Sequence, residues 1–352
     1  MDLLMVTDRW DETGGGRERY LAELRTSLTR RGHSAAVLVR HGLGERRLRH
    51  GIDRFRRAHP ASRVLSARPA AGATHYQLHS GVYAAAYAAE RESYDSTLRR
   101  LCFHPAQRLN VRRSRLLRAE ERLLHASSGA KLMVFSAQSR DELQRMFDIS
   151  GDRVAVARPG VNLDIFRPAT SSSFHGRVRP LFAGHNFVLK GLRWALEALA
   201  EARRRGIDAE LVVAGRGPIR AFSAMARRLN IAPYVRFAGA VSQHALAELY
   251  RSSDLLIHPT FYDPFPRVIV EALASGVPVV TTRDCGGAEL ITPGRNGFVV
   301  SDPRQVAAIA DAIESVADPE RRAVMGAEAA RTGRGFDFET HAEAVATWLA
   351  GA

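Results

Sequence analysis

The chain has 352 residues, of which 45% are hydrophobic and 25% are charged, and its formal net charge at pH 7 is +14. This length is too great for one small core and suits a soluble globular protein of two domains. Two cysteines, Cys102 and Cys285, exclude a disulfide framework or a cysteine-rich metal site and fit a reducing compartment.

The positive charge is concentrated in the first half of the chain. Residues 1–167 hold 30 Lys and Arg against 18 Asp and Glu, whereas residues 168–352 hold 21 against 19. Nearly all of these cations are arginines, which genome composition alone can produce. A functional origin instead predicts an anionic partner or a membrane face for the first half.

The chain opens with the pattern of a parallel α/β unit. Residues 3–6 form an apolar run far too short for a signal peptide or a membrane span, so they predict a buried strand. A glycine run at 14–16, a helix over 17–31 and a strand over 35–39 complete a βαβ unit. The arginine-rich residues 41–75 fit helix or loop.

Further along, residues 107–124 predict a basic helix with several leucines. Such a helix either lies on an anionic membrane or is solvated and packs through its leucines, and the second reading is favoured. A strand over 132–135, a helix over 138–147 and a strand over 154–156 then follow.

A turn-rich run over residues 159–173 is typical of a linker. We therefore predict one domain over 1–167, a second over 168–335 and a last helix within 336–352. The second domain alternates strand and helix, which predicts another doubly wound sheet. Its expected strands lie at 180–184, 211–215, 235–238, 255–257 and 279–281.

One carboxylate interrupts an otherwise apolar helix in this second domain. Pro264 and Pro266 disfavour helix for the residues before them, so the helix is expected to begin near Arg267. Every residue over 268–274 is apolar except Glu271, which predicts a semi-buried carboxylate that needs a partner.

That partner is either a side chain or a ligand. Arg267, four residues before Glu271, is the structural candidate. The helix, however, starts at the carboxyl end of a parallel strand, where open α/β sheets bind ligands and helix N-termini attract phosphate. The position therefore favours a ligand.

The run from Asp263 to Glu271 resembles the E-x7-E signature of retaining glycosyltransferases with the GT-B fold, often called family 4, with Asp263 replacing the first glutamate. Residues 131–135 and 186–192 are most similar to bacterial enzymes that build the lipopolysaccharide core, especially core glucosyltransferases. Further runs that resemble the family lie at 158–168, 235–240, 286–290 and 296–300.

The resemblance implies the GT-B fold, which is α/β with two doubly wound Rossmann-like domains and a cleft between them. The first domain would bind the acceptor and the second the nucleotide sugar, with residues 336–352 packing back on the first. It also implies that Glu271 binds the nucleotide ribose and Asp263 the transferred sugar. Because Asp263 is shorter than glutamate, the donor sugar stays open.

Other residues of the second domain are assigned by the same resemblance. Lys190 is similar to the family's phosphate-binding lysine, since it follows strand 180–184 by one loop and precedes Gly191 at a helix start. His185 stands where that lysine usually has an arginine partner, and Arg216 is a candidate for the nucleotide pocket. The sugar and phosphate pocket would be shaped by Pro264, Phe265 and Pro266.

In the first domain the glycine loop, including Gly15 and Gly16, and the following Arg19 resemble the family's loop beside the donor phosphate. A plain turn is the alternative. His79 occupies the position of a histidine near the sugar in similar enzymes, and His104 is its rival. The alternative for each histidine is a purely structural role.

The expected function is transfer of a hexose from a UDP-sugar, UDP-glucose or a related donor, with retention of configuration. The acceptor would be an anionic glycan or glycolipid of lipopolysaccharide or another cell-surface glycan. We expect a cytoplasmic protein that contacts the inner face of the cytoplasmic membrane peripherally. Since no two aspartates stand at i, i+2, no essential metal is expected.

Two other functions are compatible with parts of the sequence. A UDP-N-acetylglucosamine 2-epimerase shares the GT-B fold but needs no acceptor, and the acidic motif and the basic first half favour transfer. A basic nucleic-acid-binding protein would account for the charge alone. No nucleic-acid module is recognisable, so no nucleic-acid partner is expected.

Overall fold

The computed structural model describes residues 1–11, 15–40, 44–94, 110–169 and 176–351. These residues form two compact units. The first lies within Met1–Arg91, Asp95–Pro159 and Glu339–Ala352, and the second within Glu92–Tyr94 and Gly160–Phe338. The predicted domain boundary at residue 168 remains a prediction.

The first unit is built on one parallel sheet with strand order β2-β1-β3-β4-β5-β6. Its elements, in chain order, are β1 (Asp2–Thr7), α1 (Gly16–Arg30), β2 (Ser34–Val39), α2 (Glu45–Ala58), β3 (Arg63–Ser66), β4 (His75–Gln77), α3 (Tyr83–Glu92), α4 (Val111–Leu124), β5 (Lys131–Val134), α5 (Ala137–Phe147) and β6 (Val154–Val156).

The second unit has a parallel sheet of order β12-β11-β10-β7-β8-β9. Its elements are β7 (Pro180–Ala183), α6 (Leu192–Arg204), β8 (Leu211–Ala214), α7 (Ile219–Arg228), β9 (Val235–Gly239), α8 (Gln243–Arg251), β10 (Leu255–His258), α9 (Arg267–Ala274), β11 (Val279–Thr282), β12 (Gly297–Val300), α10 (Val306–Ser315) and α11 (Pro319–Gly333). The last helix, α12 (Phe338–Ala350), lies almost entirely in the first unit.

Both sheets are covered on both faces, as parallel sheets generally are. All but the first residue of β1 are buried, and every residue of β7, β8, β10 and β11 is buried. These strands read as short continuous apolar runs for that reason, since neither face meets water. The doubly wound α/β architecture predicted for both halves is confirmed.

The predicted helix and strand boundaries are confirmed where proline or glycine marks the ends of an element. Helix α9 begins at Arg267 and ends at Ala274, two residues before the positive-φ Gly276. The ambiguous residues 41–75 contain α2, β3 and the first residue of β4. In the part of the chain that the structure describes, no helix combines the length and the apolar character that crossing a bilayer requires.

Candidate active site

The strand order of the second unit defines a switch point between β7 and β10. From β7 the chain proceeds outward through β8 to β9, whereas β10 lies on the other side of β7 and continues outward to β11 and β12. The carboxyl edge of the sheet at such a switch point is the usual ligand position in open α/β sheets. Lys190 and Asp263 lie on the loops that follow β7 and β10.

The loop after β10 is held by threonine hydroxyls. Thr282 Oγ1 donates to the carbonyl of Thr260 at 2.6 Å, and Thr260 Oγ1 donates to the carbonyl of Tyr262 at 2.9 Å. The amide of Gly286 donates to the carbonyl of Asp263 at 2.8 Å. These contacts fix the backbone on both sides of the Asp263 carboxylate.

Asp263 and Lys190 form an ion pair across the switch point. Lys190 Nζ lies 2.5 Å from Asp263 Oδ2 and 3.3 Å from the carbonyl oxygen of Tyr262. His258, the last residue of β10, lies with Nε2 3.5 Å from the same carboxylate oxygen. A cation and a histidine thus meet a nearly buried carboxylate at the switch point of the sheet.

The charges of this group follow from its surroundings. Burial lowers the pKa of His258 despite the neighbouring carboxylate, which favours a neutral ring. Burial on its own would raise the pKa of the Asp263 carboxyl, but the Lys190 ammonium and His258 bring it below its ordinary value. At neutral pH the group therefore consists of an ionised carboxylate, an ammonium and a neutral imidazole.

Glu271 is fully buried in α9, with 0% of its surface exposed. Its Oε2 accepts a hydrogen bond of 3.2 Å from the Tyr250 hydroxyl, which also lies 3.1 Å from the carbonyl of Val268. Its Oε1 is buried and has no hydrogen-bond partner among the described residues. A buried acceptor without a partner is costly, so this oxygen is suited to receive a donor from a ligand.

Lys190 is placed by a loop of unusual backbone geometry. Asn186 and Gly191 both have positive φ, 55° and 76°. A side chain at Gly191 would overlap the carbonyl of Pro259, so only glycine fits where the β7 and β10 loops touch. Helix α6 begins at the next residue, with no side chain capping its first amides. Lys190 and a helix N-terminus, both positive, therefore lie together.

The candidates His185 and Arg216 are neighbours in the structure. His185 Nδ1 accepts a hydrogen bond of 3.0 Å from the backbone amide of Arg216, and both side chains are exposed. Gly184 and Gly215, which precede them, are in backbone contact, since a Cβ at Gly215 would overlap the carbonyl of Gly184. The ends of β7 and β8 are thus joined at the same edge of the sheet as Lys190.

Pro264, Phe265 and Pro266 are all buried and connect Asp263 to the start of α9. The two proline rings leave the backbone little freedom, and Pro266 is the residue directly before the helix. The two carboxylates are therefore held on one stiff segment.

In the first unit, Gly15 is the residue before α1 and Gly16 is its first residue, and no side chain caps the helix. The backbone amide of Arg19 donates to the carbonyl of Gly15, and Arg19 Nε is buried without a hydrogen-bond partner among the described residues. Space in front of Gly16 is open. The start of α1 is thus a concentration of positive potential; Gly14 lies outside the described residues.

His79 lies after β4 in an aromatic and polar cluster of the first unit. Its ring packs edge-on against Tyr20 and Phe135, each at 4.9 Å between centroids, and Nε2 lies 3.3 Å from Gln77 Oε1. Tyr20 in turn hydrogen bonds with His341 of α12 at 2.8 Å. His104 lies outside the described residues.

Two residues of the second unit were missed by the sequence argument. His258 could have been found as a histidine that closes the apolar run of β10. Tyr250 had no comparable signal, because it lies 21 residues before Glu271 and meets it only through the packing of α8 and α9. Among the described residues no group of three or more His, Cys, Asp or Glu side chains is arranged to hold a metal ion.

Comparison with solved structures defines the fold of the whole chain as GT-B. WaaG, a glycosyltransferase involved in lipopolysaccharide biosynthesis, superposes with a TM-score of 0.81 over 99% of this chain and 100% of that chain, at 21% identity. Anabaena HepE, solved with UDP-glucose, superposes with a TM-score of 0.74 over 100% of both chains, at 17% identity. At these identities the likeness establishes the fold, and the predicted fold class is confirmed.

Sequence comparison relates part of the second unit to known glycosyltransferases. Residues 177–318 match the family model described as Glycosyl transferases group 1. A D-inositol 3-phosphate glycosyltransferase of Streptomyces scabiei is 35% identical over 238 residues, which cover 61% of this chain and 52% of the relative. A glycogen synthase of Mycobacterium tuberculosis is 32% identical over 235 residues, covering 66% and 56%. The chain thus matches only about half the length of these relatives.

Proposed function

We propose that this protein is a hexosyltransferase that takes its sugar from a UDP-sugar, UDP-glucose or a related donor. The observation that carries the proposal is Glu271, a fully buried carboxylate with one oxygen bound by Tyr250 and the other without a partner in the described part of the chain. A pair of ribose hydroxyls supplies the donors that such an oxygen needs. The group 1 match and the UDP-glucose complex of HepE, a structural neighbour, support a nucleotide-sugar donor.

In this proposal Asp263 accepts hydrogen bonds from hydroxyls of the transferred sugar, and Lys190 divides its ammonium between Asp263 and the donor phosphate. As the anomeric bond breaks, negative charge grows on the leaving diphosphate. Lys190 and the positive end of α6 are assigned to stabilising that charge, and their neighbouring positions support the assignment. The start of α1 and Arg19 stay candidates for contact with the donor phosphate because they resemble the family's loop at that place.

Retention of configuration is part of the proposal, because the run from Asp263 to Glu271 resembles the E-x7-E signature. Asp263 is held by Lys190 and is assigned to binding the sugar, and Glu271 is assigned to the ribose, so neither acts as the nucleophile of a glycosidase pair. His79 is retained as a candidate for contact with the sugar.

The proposed acceptor is an anionic glycan or glycolipid used in a cell-surface polymer. The excess of arginine in residues 1–167 supports an anionic partner. Relatives named D-inositol 3-phosphate glycosyltransferase and the structural neighbour WaaG are consistent with phosphorylated acceptors or lipopolysaccharide. We place the reaction at the cytoplasmic face of the membrane.

Incubation with a panel of nucleotide sugars and phosphorylated acceptors tests this function. We expect UDP release with one UDP-hexose, acceleration by an anionic acceptor and a product whose anomeric configuration, read by NMR, equals that of the donor. Asp263→Asn should lower turnover while UDP alone still binds. Absence of UDP release with every donor and acceptor, or an inverted product, would overturn the proposal.

A further inference from the structure

A second cavity lies at the opposite edge of the second sheet from the candidate active site. Its volume is about 320 Å³, and the residues that line it include Arg179, Asp254 and Pro278, which directly precede β7, β10 and β11. Because the strands are parallel, their first residues mark the amino edge, whereas Lys190 and Asp263 lie at the carboxyl edge. Cavities that bind small molecules begin at about this volume.

The cavity is rich in arginine. Of the charged side chains among its described lining residues, four are arginines, at positions 177, 179, 251 and 322, and one is Asp254. Asp254 accepts from the amide of Arg179 at 2.8 Å and lies 3.4 Å from Arg322 Nε. It therefore offsets part of the positive charge and fixes the arginines on two sides of the cavity.

The remaining acidic partners of these arginines do not line the cavity. Arg177 pairs with Asp208 and Glu210, Arg179 pairs with Glu210 through Nε, and Arg251 pairs with Glu248. A guanidinium has five donor hydrogens in a planar fork, so Arg179, which meets Glu210 through Nε, keeps the donors of its two terminal nitrogens for a ligand. An anion with several oxygens, such as a phosphate ester, matches these donors better than a single carboxylate does.

Neutral polar groups line the same cavity. Ser252 and Ser253 lie at the end of α8, where their hydroxyls donate to the carbonyl of Leu249 and keep lone pairs available as acceptors. Ser275, at the end of α9, is 4% exposed, and its hydroxyl has no hydrogen-bond partner among the described residues. Hydroxyl acceptors beside arginines suit a ligand that has both hydroxyls and a phosphate.

The cavity also reaches the machinery that holds Glu271. Tyr250, which lines the cavity, donates to Glu271 Oε2, and Ser275 and Gly276 line it at the end of the helix that carries Glu271. A ligand that binds in the cavity contacts Tyr250 or the end of α9. Such contacts would move the tyrosine or the helix and, with them, the buried carboxylate of Glu271. Such a contact is a differential interaction of the kind that linkage between two sites requires.

We propose that this cavity is a second ligand site that binds a phosphorylated sugar or polyol and is coupled to nucleotide binding through Tyr250. Its arginines take the phosphate, and its serines take the hydroxyls. The coupling rests on the proposed function, whereas binding to the cavity does not. A product or precursor of sugar metabolism that bears a phosphate monoester would then set the affinity for the nucleotide sugar.

Calorimetry with glucose 6-phosphate as the probe tests the site, with glucose and inorganic phosphate as separate arms. We expect glucose 6-phosphate to bind at least about tenfold more tightly than either fragment. Equal binding of inorganic phosphate would reduce the cavity to an anion site and overturn the sugar part. No binding of glucose 6-phosphate would overturn the site altogether.

Variants locate the binding. Arg179→Gln removes an arginine fork, and Ala323→Leu fills the cavity from α11 while keeping every ion pair. Each variant should weaken the binding of glucose 6-phosphate by about tenfold or more. The matched changes Arg228→Gln and Val324→Leu, at exposed positions outside the lining, should leave affinity unchanged. Weakening by Lys190→Met but not by the cavity variants would place the probe in the active site and contradict the proposal.

Coupling is read from UDP affinity with and without glucose 6-phosphate. We expect a change of about fivefold or more, and the same factor when UDP is added first, because linkage is reciprocal. Tyr250→Phe removes the hydroxyl that meets Glu271, so the factor should fall toward one while glucose 6-phosphate still binds. An unchanged factor would refute the route through Tyr250. If wild-type protein bound no UDP, the proposed function would fail, and the cavity would still be tested by its own ligand.

Discussion

Lys190 and Asp263 show how a single contact serves both folding and the site. Nζ and Oδ2 are 2.5 Å apart, with neither side chain more than one-fifth exposed. Breaking one side of such a pair leaves a charge that water reaches poorly, which typically costs about 3 kcal/mol. Removing both charges restores much of that loss.

We therefore predict that Lys190→Met lowers the free energy of unfolding by about 3 kcal/mol at pH 7.5 and by less at pH 4.5. In the wild type the pKa of Asp263 is below its ordinary value, so its contribution is present at neutral pH and lost as pH falls through that low pKa. Without Lys190, burial raises the pKa, and ionisation of Asp263 costs stability as pH rises.

Urea unfolding at the two pH values measures the difference. The double variant Lys190→Met, Asp263→Asn serves as the control and should recover most of the stability at pH 7.5. An equal loss at both pH values would show that the charge of Asp263 is not responsible.

Glu120 is a second buried carboxylate, in the first unit, with a different role. Its oxygens accept from the Tyr76 hydroxyl at 3.1 Å and from the amide of Tyr83, the first residue of α3, at 2.9 Å. Burial raises the pKa of Glu120 to about 7, even though these hydrogen bonds oppose the shift. The carboxyl therefore binds its proton more tightly in the folded state than in the unfolded state.

This raised pKa predicts a specific pH dependence of stability. The contribution of Glu120 is fully present below pH 4.5, the ordinary pKa, and is lost as pH rises through about 7. As pH rises from 5 to 8, the free energy of unfolding of Glu120→Gln should therefore increase by up to about 3 kcal/mol relative to that of the wild type. Thermal unfolding across that range measures the gain, and the exposed neighbour variant Glu121→Gln should show none. A Glu120→Gln curve parallel to wild type would contradict the prediction.

At the same scale, the sequence identified Glu271 but not its surroundings. A charge within an apolar helix stands out in any sequence, and two prolines mark where that helix starts. Tyr250 and His258 reach the site through the pairing of strands and the packing of helices far apart in the chain. Long-range register of this kind leaves no local pattern, so these contacts required the structure.

Among the elements, the start of α6 depends on a single glycine. Gly191 has φ +76°, and a side chain there would overlap the carbonyl of Pro259. Gly191→Ala should therefore cost more than the 1–2 kcal/mol, roughly, of a positive φ alone and should weaken UDP binding by displacing Lys190.

Gly206 offers the matched control for this change. It has φ +89° at the end of α6, and nothing lies within 4 Å of the added Cβ. Gly206→Ala should show the backbone cost alone, by urea unfolding, and unchanged UDP affinity. Equal effects of the two substitutions would mean that the contact with Pro259 does not matter.

Helix α4 is the element for the proposed membrane contact. Arg113 is already engaged by Glu90 at 2.8 Å and lies over the Tyr87 ring, while Leu123 and Leu124 are buried. The helix therefore packs through its leucines, as the favoured reading expected. The exposed arginines of α4 include Arg112, Arg115 and Arg118, which remain for a membrane.

Changing these three arginines to glutamine should weaken binding to vesicles that contain phosphatidylserine by about 1 kcal/mol per residue. Co-sedimentation at low and physiological salt measures the change. The same substitution of exposed arginines on α7, at positions 220, 227 and 228, changes net charge equally and should have little effect. Equal weakening by both triples would show a response to net charge only, and unchanged binding by the α4 triple would leave that helix a purely structural one.

The elements that sequence patterns predicted best are those bounded by glycine or proline. Strands β7 to β11 and helix α9 lie where apolar runs and turn residues placed them. Strand β3 and helix α3 were not recognised, because a four-residue strand and an alanine-rich helix carry little periodic signal. The secondary structure of residues 41–75 could not be assigned from the sequence, because the long side chain of arginine fits a helix, a loop or the edge of a sheet.

For the whole molecule, the fold and the chemistry are supported by different observations. The GT-B fold follows from two parallel sheets and from superposition over nearly the full chain. The proposed function depends on a few side chains at one edge of the second sheet, because one fold can host several activities. Asp263 in place of glutamate leaves the choice of hexose to be measured.

Binding of UDP to wild type and to Glu271→Gln, measured by calorimetry, tests the central claim most directly. The glutamine keeps the shape of the side chain but removes the charge that would accept the ribose hydroxyls, so UDP should bind about 10- to 100-fold more weakly. Glu197→Gln, a carboxylate of α6 paired with Arg193, should bind UDP as wild type does. Equal UDP affinity of Glu271→Gln and wild type would contradict the assignment of Glu271 to the nucleotide.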